Sequence, residues 1–260
     1  MASGAAHSSP GSDVVAIIPA RLGSTRFPGK VLANKTGKPL IQHVCEAAKR
    51  SRLLLRVVVA TDDETVMAAV KSFGGDAVMT RTDHPNGTSR LAEAAQKLGL
   101  SPDAIVVNVQ GDEPEIEPEV IDAAVRALGE APVATVASPM NETDAANPNI
   151  VKVVVRLDGT ALYFSRARVP HVRDAANASS GRPLRHVGLY VYRRSFLDRY
   201  LTLAQTPLER SESLEQLRIL EHGYTIAVAT LANEVGYAGI DTPEQYEAFV
   251  KRAGAGRVKD

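Results

Sequence analysis

The sequence is nearly without cysteine: one residue, Cys45, in 260. That excludes an internal disulfide and any cysteine-built metal cluster. Cys45 falls in LIQHVCEAAKR, where a small buried side chain suits the helical pattern better than a reactive thiol does. Net charge is also missing, since Lys+Arg and Asp+Glu stand at 30 each. Such a chain has no global field with which to hold nucleic acid or an anionic membrane. Anionic ligands must then be met by local cations and oriented backbone N–H groups. No apolar run approaches the roughly 20 residues that cross a bilayer. The opening MASGAAHSSPGSD (residues 1–13) has no basic start and no hydrophobic stretch. It reads as a disordered extension rather than a secretory signal, and a cytoplasmic protein is expected.

What is present suits one α/β domain over residues 14–260, with 44% hydrophobic and 23% charged residues leaving room for a core. VVAIIPA at Val14–Ala20 is a β-branched apolar run of the kind buried on both faces of a sheet. Helical spacing over Leu40–Ser51, a second buried run at Arg56–Thr61 and a helix capped by Asp62 follow. Strands at Ala77–Met79, Ala104–Val109 and Val133–Ser138 then alternate with helices at Thr88–Leu98 and Glu117–Leu128. This alternation predicts a mostly parallel sheet covered by helices on both faces. Near Pro139 the pattern changes. VKVVVRLDGTALYFSR (Val151–Arg166) reads as an antiparallel hairpin, Arg185–Arg194 as a further strand, and AANASSGRP between them as a flexible loop. An inserted β-rich lobe at about 139–194 is expected. Helices at Ser195–Leu203 and Ser211–Glu221, a strand at Thr225–Thr230 and a helix from Pro243 complete the chain.

Chemistry concentrates in loops. The first strand is followed by Arg21-Leu22-Gly23-Ser24-Thr25-Arg26-Phe27-Pro28-Gly29-Lys30. Open α/β sheets bind ligands beyond the carboxyl ends of their strands, which is where this loop lies. Its small residues let backbone approach a triphosphate, and Arg21, Arg26 and Lys30 can neutralise it. It is not a P-loop, because Gly23 stands six residues before Gly29 and Lys30 precedes Val31. A solvated basic connector is the plainer reading. Gln110-Gly111-Asp112-Glu113-Pro114 follows the fourth strand, where Asp112 can serve as a hard oxygen ligand for Mg²⁺ or cap the next helix. Asp241, in GIDTPEQYEAF, is open to the same two readings, and Asp-Thr-Pro-Glu is good helix-start chemistry.

Together these stretches resemble the 3-deoxy-manno-octulosonate cytidylyltransferases. The likeness runs in order from about Val14 to Val250 through PARLGSTRFPGK, MTRTDHPNGTSRLAEA, VVNVQGDEP, NPNIVKVV, ALYFSRARVP, LRHVGLYVYR and GIDTPE. PARxxSTRxPGK alone is shared, in looser form, with other sugar nucleotidyltransferases. The resemblance implies a nucleotide-diphospho-sugar transferase-like fold and transfer of CMP from CTP to 3-deoxy-D-manno-octulosonate (Kdo), for lipopolysaccharide biosynthesis. It implies that Ala20, Arg21, Lys30, Arg81, Thr88 and Arg90 bind the nucleotide, and that Asp112 and Asp241 hold Mg²⁺. Gln110 would stand between nucleotide and sugar, and Arg21, Lys30, Gln110, Asp112 and Asp241 would be catalytic. Arg166, His186, Tyr190, Glu215 and Gln216 would form the sugar site, with Glu212 a rival to the Glu215-Gln216 pair. His186 alone would read as a satisfied structural histidine. Asn86 and Phe27 depart from the family pattern, which has a small serine and a leucine there. A homodimer through the inserted lobe is also implied.

Overall fold

The computed structural model describes residues 13–23, 26–174, 176, 181–236 and 239–256. The expected N-terminal extension lies outside these residues except for Asp13, and so does most of the Ala175–Pro183 loop. One sheet organises the chain. Its strands are β1 (Val14–Ala20), β2 (Arg56–Thr61), β3 (Asp76–Met79), β4 (Ile105–Asn108), β5 (Val133–Pro139), β6 (Lys152–Val155), β7 (Ala161–Ser165), β8 (Leu184–Arg193) and β9 (Ile226–Thr230). The order is β3-β2-β1-β4-β8-β5-β9, with the β6–β7 hairpin joined at β8. Strands β3, β2, β1 and β4 are parallel, as β-branched runs linked by helices require.

Alternate residues of each strand serve opposite faces. Ala16, Ile18, Val57, Val59 and Val107 pack with α1 (Leu40–Ala48) and α4 (Pro118–Ala127). Val15, Ile17, Val58, Ala60 and Val106 pack with α3 (Gly87–Lys97) and, further along the sheet, with Phe196, Leu197 and Tyr200. Cys45 is buried in α1, as expected. The expected mostly parallel α/β sheet, with helices on both faces, is what the chain builds.

Three local expectations change. The helix after β2 is α2 (Glu64–Ser72), capped by Asp63, whose carboxylate accepts from the Thr65 and Val66 N–H groups. Asp62 is drawn away by Arg90, so its neighbour caps instead. The expected helix over Ser211–Glu221 is two: α7 (Pro207–Glu212) and α8 (Gln216–Glu221). Ser213 breaks them with a left-handed backbone at φ 52°, uncommon for a residue with a Cβ. The segment at about 139–194 is largely continuous with the sheet, because β8 runs antiparallel between β4 and β5. Among the described residues, only the β6–β7 hairpin stands off the main path. The short α5 (Glu142–Ala145) leads into it, α6 (Arg194–Tyr200) follows β8, and α9 (Pro243–Gly256) docks through Tyr246 and Phe249 on Leu40.

Candidate active site

The carboxyl ends of β1 and β4 open into a cleft of about 240 Å³ lined by Arg21, Gly23, Lys30, Gln110, Gly111 and Asp112. Glycine is required at position 111, since a Cβ there would stand 2.6 Å from the Pro19 carbonyl oxygen. That close approach seats Asp112 against the end of β1. Gly29, at φ 69°, turns the basic loop so that Lys30 enters a short 3₁₀ turn. The Lys30 ammonium then donates to Asp112 Oδ2 at 2.6 Å, to Asp241 Oδ1 at 3.2 Å and to the Ile240 carbonyl at 2.9 Å. Two carboxylates some 130 residues apart in sequence are thereby brought within reach of one cation. Arg26 reaches Asp241 from the solvent side at 3.0 Å.

Neither aspartate caps a helix. Glu117 stands at the N-cap of α4, without a side-chain bond. At α9, Thr242 Oγ1 accepts from the Gln245 N–H while Gln245 Oε1 accepts from the N–H groups of Asp241 and Thr242. The Asp241 carboxylate meets Lys30 and Arg26 rather than the helix end. Beside Asp112, Glu113 is pushed up to about 7, by burial first and then by the Asp112 charge, with Arg185 opposing.

A second cavity, of about 510 Å³, opens next to the first and is lined by Thr88, Gln110, Arg166, Tyr190, Glu215 and Gln216, among others. Gln110 borders both spaces and is held by its amide N–H donating to the Gly188 carbonyl at 3.1 Å. Burial raises the Tyr190 hydroxyl well above its ordinary value. The Glu215 carboxyl is raised too, chiefly by burial, with Arg218 opposing and Glu209 reinforcing the shift. Glu212 does not share this lining: it accepts from Ser165 Oγ at 2.7 Å and from the Arg166 N–H at 2.8 Å. Asn108, Tyr192, Tyr200 and Ser213 also face the cavity. Sequence reading missed them, because strand and helix periodicity marks Tyr192 and Tyr200 as core and nothing local marks Ser213 or Asn108.

Other expected residues stand further back. His186 does not line the cavity among the described residues. Its ring packs on Phe164 and Tyr190, and Nε2 meets Thr135 Oγ1 at 2.9 Å. Burial, with Arg185 adding to it, lowers this imidazole to about 3, so it is neutral. Arg90 departs from the expected nucleotide contact. Its side chain is wholly buried, pairing with Asp62 at 2.7 Å and donating to Thr80 Oγ1. From there it braces the 80–90 loop from within. Arg81 is exposed beside Asp83 and Glu93. Ala20 is buried at the end of β1. Arg21 donates to the His84 carbonyl at 2.8 Å, tying the basic loop to this second loop. His84 bonds Ser89 and Glu93. Burial alone would raise Glu93, yet bonds from Lys97, His84 and the Arg81 N–H bring it down to about 2. Asn86 caps α3 by accepting from the Ser89 N–H at 2.9 Å, work that asparagine does as well as serine.

The profile of the cytidylyltransferase family matches residues 15–226. Relatives named 3-deoxy-manno-octulosonate cytidylyltransferase are 48% identical in Geobacter sulfurreducens, over 92% of this chain and 99% of theirs, and 51% identical in Syntrophobacter fumaroxidans, over 91% and 95%. The chain belongs to the 3-deoxy-manno-octulosonate cytidylyltransferase family. A solved CMP:2-keto-3-deoxy-manno-octonic acid synthetase complexed with CTP superposes with a TM-score of 0.88 at 43% identity, covering 94% of this chain and all of that one. A cytidylyltransferase from Leptospira borgpetersenii, at 20% identity and a TM-score of 0.59, shares the fold. No helix among the described residues is long and apolar enough to cross a membrane. The family's enzymes are nucleotidyltransferases, and in this member the two cavities adjoin at Gln110.

Proposed function

We propose that this chain transfers CMP from CTP to the anomeric hydroxyl of Kdo, releasing pyrophosphate. The observation that carries the reading is Gln110, which borders both the cationic cleft and the larger polar cavity, so that ligands in the two would meet beside it. Arg21 and Lys30 in the cleft suit a triphosphate, as charge-assisted donors to phosphate oxygen. Arg166, Tyr190, Glu215 and Gln216 in the cavity suit a polyhydroxylated acid. The hydroxyl attacks the α-phosphorus as pyrophosphate departs, and no covalent enzyme intermediate is needed. Positioning and charge neutralisation do the work.

Mg²⁺ fits the donor set formed by Asp112 and Asp241. Among the described residues no group of three or more His, Cys, Asp or Glu could hold a metal, so the remaining ligands would be phosphate oxygens and water. That is the usual preference of Mg²⁺, which would offset charge on the triphosphate. Lys30, already bridging both carboxylates, keeps them converged while the site is assembled.

The test is a pyrophosphate-release assay with CTP, Kdo and Mg²⁺ each omitted in turn. Release is expected only with all three together. Equal release when sialic acid replaces Kdo would move the assignment to another acidic sugar, and release without any sugar would reduce it to CTP hydrolysis.

A further inference from the structure

Behind the sugar cavity, at the start of β6, lies a lysine whose side chain has no access to solvent: Lys152, 0% exposed. Lysine is almost never buried so completely without a partner, because desolvating an ammonium is costly. Burial, the largest influence, pulls Lys152 down from its ordinary value, Glu212 opposes this and Arg166 adds to it. No carboxylate pairs with it directly among the described residues. Its three N–H groups go instead to three main-chain carbonyls: Asn147 at 3.1 Å, Ile150 at 2.7 Å, and Arg166.

Those acceptors are not scattered. Asn147 and Ile150 flank Pro148, whose carbonyl accepts from Arg166 Nη1 at 3.2 Å. The third acceptor belongs to Arg166 itself. Glu212 takes the Arg166 backbone N–H, and the carbonyls of Glu212 and Ser213 accept from Arg166 Nε at 2.7 Å and Nη2 at 3.3 Å. The left-handed turn at Ser213 lies within this same network. Arg166 is thus held at its backbone N–H, its backbone C=O and three of the five N–H groups of its guanidinium. One N–H is left on each Nη atom for a ligand. Lys152, Arg166 and Glu212 together carry one net positive charge (two cations, one anion), with Arg166 the member that lines the cavity.

We infer that Lys152 is a positioning residue for the acid-binding end of the sugar site: its ammonium draws three carbonyls together and so sets the direction of the Arg166 guanidinium. Methionine would fill similar space without a desolvation cost, and replacing buried charge by apolar side chains is often neutral or stabilising. An ammonium here serves orientation. The inference rests on the reading that Arg166 takes the carboxylate of the acidic sugar.

The experiment measures CTP affinity by titration and KM and kcat for Kdo in four proteins: the parent, Lys152→Met, Arg166→Lys, and the double variant. Lys152→Met is expected to raise KM for Kdo on the order of tenfold, with CTP affinity and kcat little changed. In the double variant the two effects should overlap rather than multiply, since both act through one guanidinium. If Arg166→Lys leaves KM for Kdo unchanged, the carboxylate reading fails. If Arg166→Lys raises it and Lys152→Met does not, or if the two effects multiply fully, the positioning role fails alone. Lys152→Gln, which keeps a donor, guards against misfolding and should give an intermediate KM. Should neither lysine variant yield folded protein, Lys152 serves stability and the inference falls.

Discussion

At the residue scale, the convergence of Asp112 and Asp241 on Lys30 makes a sharp demand. Changing either aspartate to asparagine leaves Lys30 with one carboxylate and the Ile240 carbonyl, so the local fold keeps its ties. Turnover should nevertheless fall by on the order of a hundredfold or more, as expected when charge compensation at a phosphoryl centre is lost. Rates normalised to folded protein, with the thermal midpoint alongside, decide it. A lowered midpoint with unchanged turnover would return Asp241 to a structural role. Arg21→Ala and Lys30→Ala should weaken CTP handling much more than Kdo handling, by about 1.5–3 kcal/mol for each lost charge-assisted contact. Lys30 carries the larger expectation, because its loss also strips Asp112 of this cation and leaves Asp241 to Arg26. Unchanged CTP parameters in both variants would remove the basic loop from the phosphate site. Arg21, Lys30 and Asp112 stood out as candidates in the sequence because loops at strand ends declare their chemistry by composition, whereas Asp241 was marked only by the family resemblance. Arg90 was not legible: an arginine in the first turns of a helix looks the same on paper whether it turns outward to a ligand or inward to Asp62.

At the scale of elements, β8 carries the clearest pH signature. His186, between Phe164 and Tyr190, is lowered to about 3 from an ordinary value of 6.5, by burial and by Arg185. The folded chain keeps it neutral through that window, while the unfolded chain takes up a proton below about 6.5. The unfolded state then binds more protons, so stability falls as pH falls from about 6.5 toward 3, by at most about 1.4 kcal/mol per unit. Above 6.5 the contribution vanishes. Denaturant midpoints between pH 4 and pH 8 should show a shallower acid slope for His186→Gln than for the parent. Parallel slopes would mean that the ring is solvated enough to titrate normally. Most elements were readable from periodicity, since β1 and β2 match their apolar runs residue for residue. The break at Ser213 was not, because no glycine or proline marks a left-handed turn there.

At the scale of the whole molecule, the β6–β7 hairpin leaves Leu157 fully exposed and Leu162 more than half exposed. The homodimer implied by the family likeness is expected to cover this edge, which would otherwise offer apolar side chains to water. Light scattering should give twice the 27.7 kDa chain mass, and Leu157→Glu with Leu162→Glu should shift it toward one. A double variant that stays dimeric places the contact elsewhere, and a monomeric parent ends the expectation.

By itself, the sequence determined the strand and helix types, the two faces of the sheet and the loops that carry cations and carboxylates. Each is written in local periodicity or composition, over a window no longer than one element. Only the tertiary structure decided that β8 runs antiparallel between β4 and β5 and that Lys30 joins Asp112 to Asp241. The same holds for Arg90 turning inward and for a buried ammonium holding the backbone of Arg166. These depend on which distant segments meet. Pairing of that kind is chosen by burial and hydrogen-bond satisfaction across the whole chain, and it leaves little trace in any one stretch.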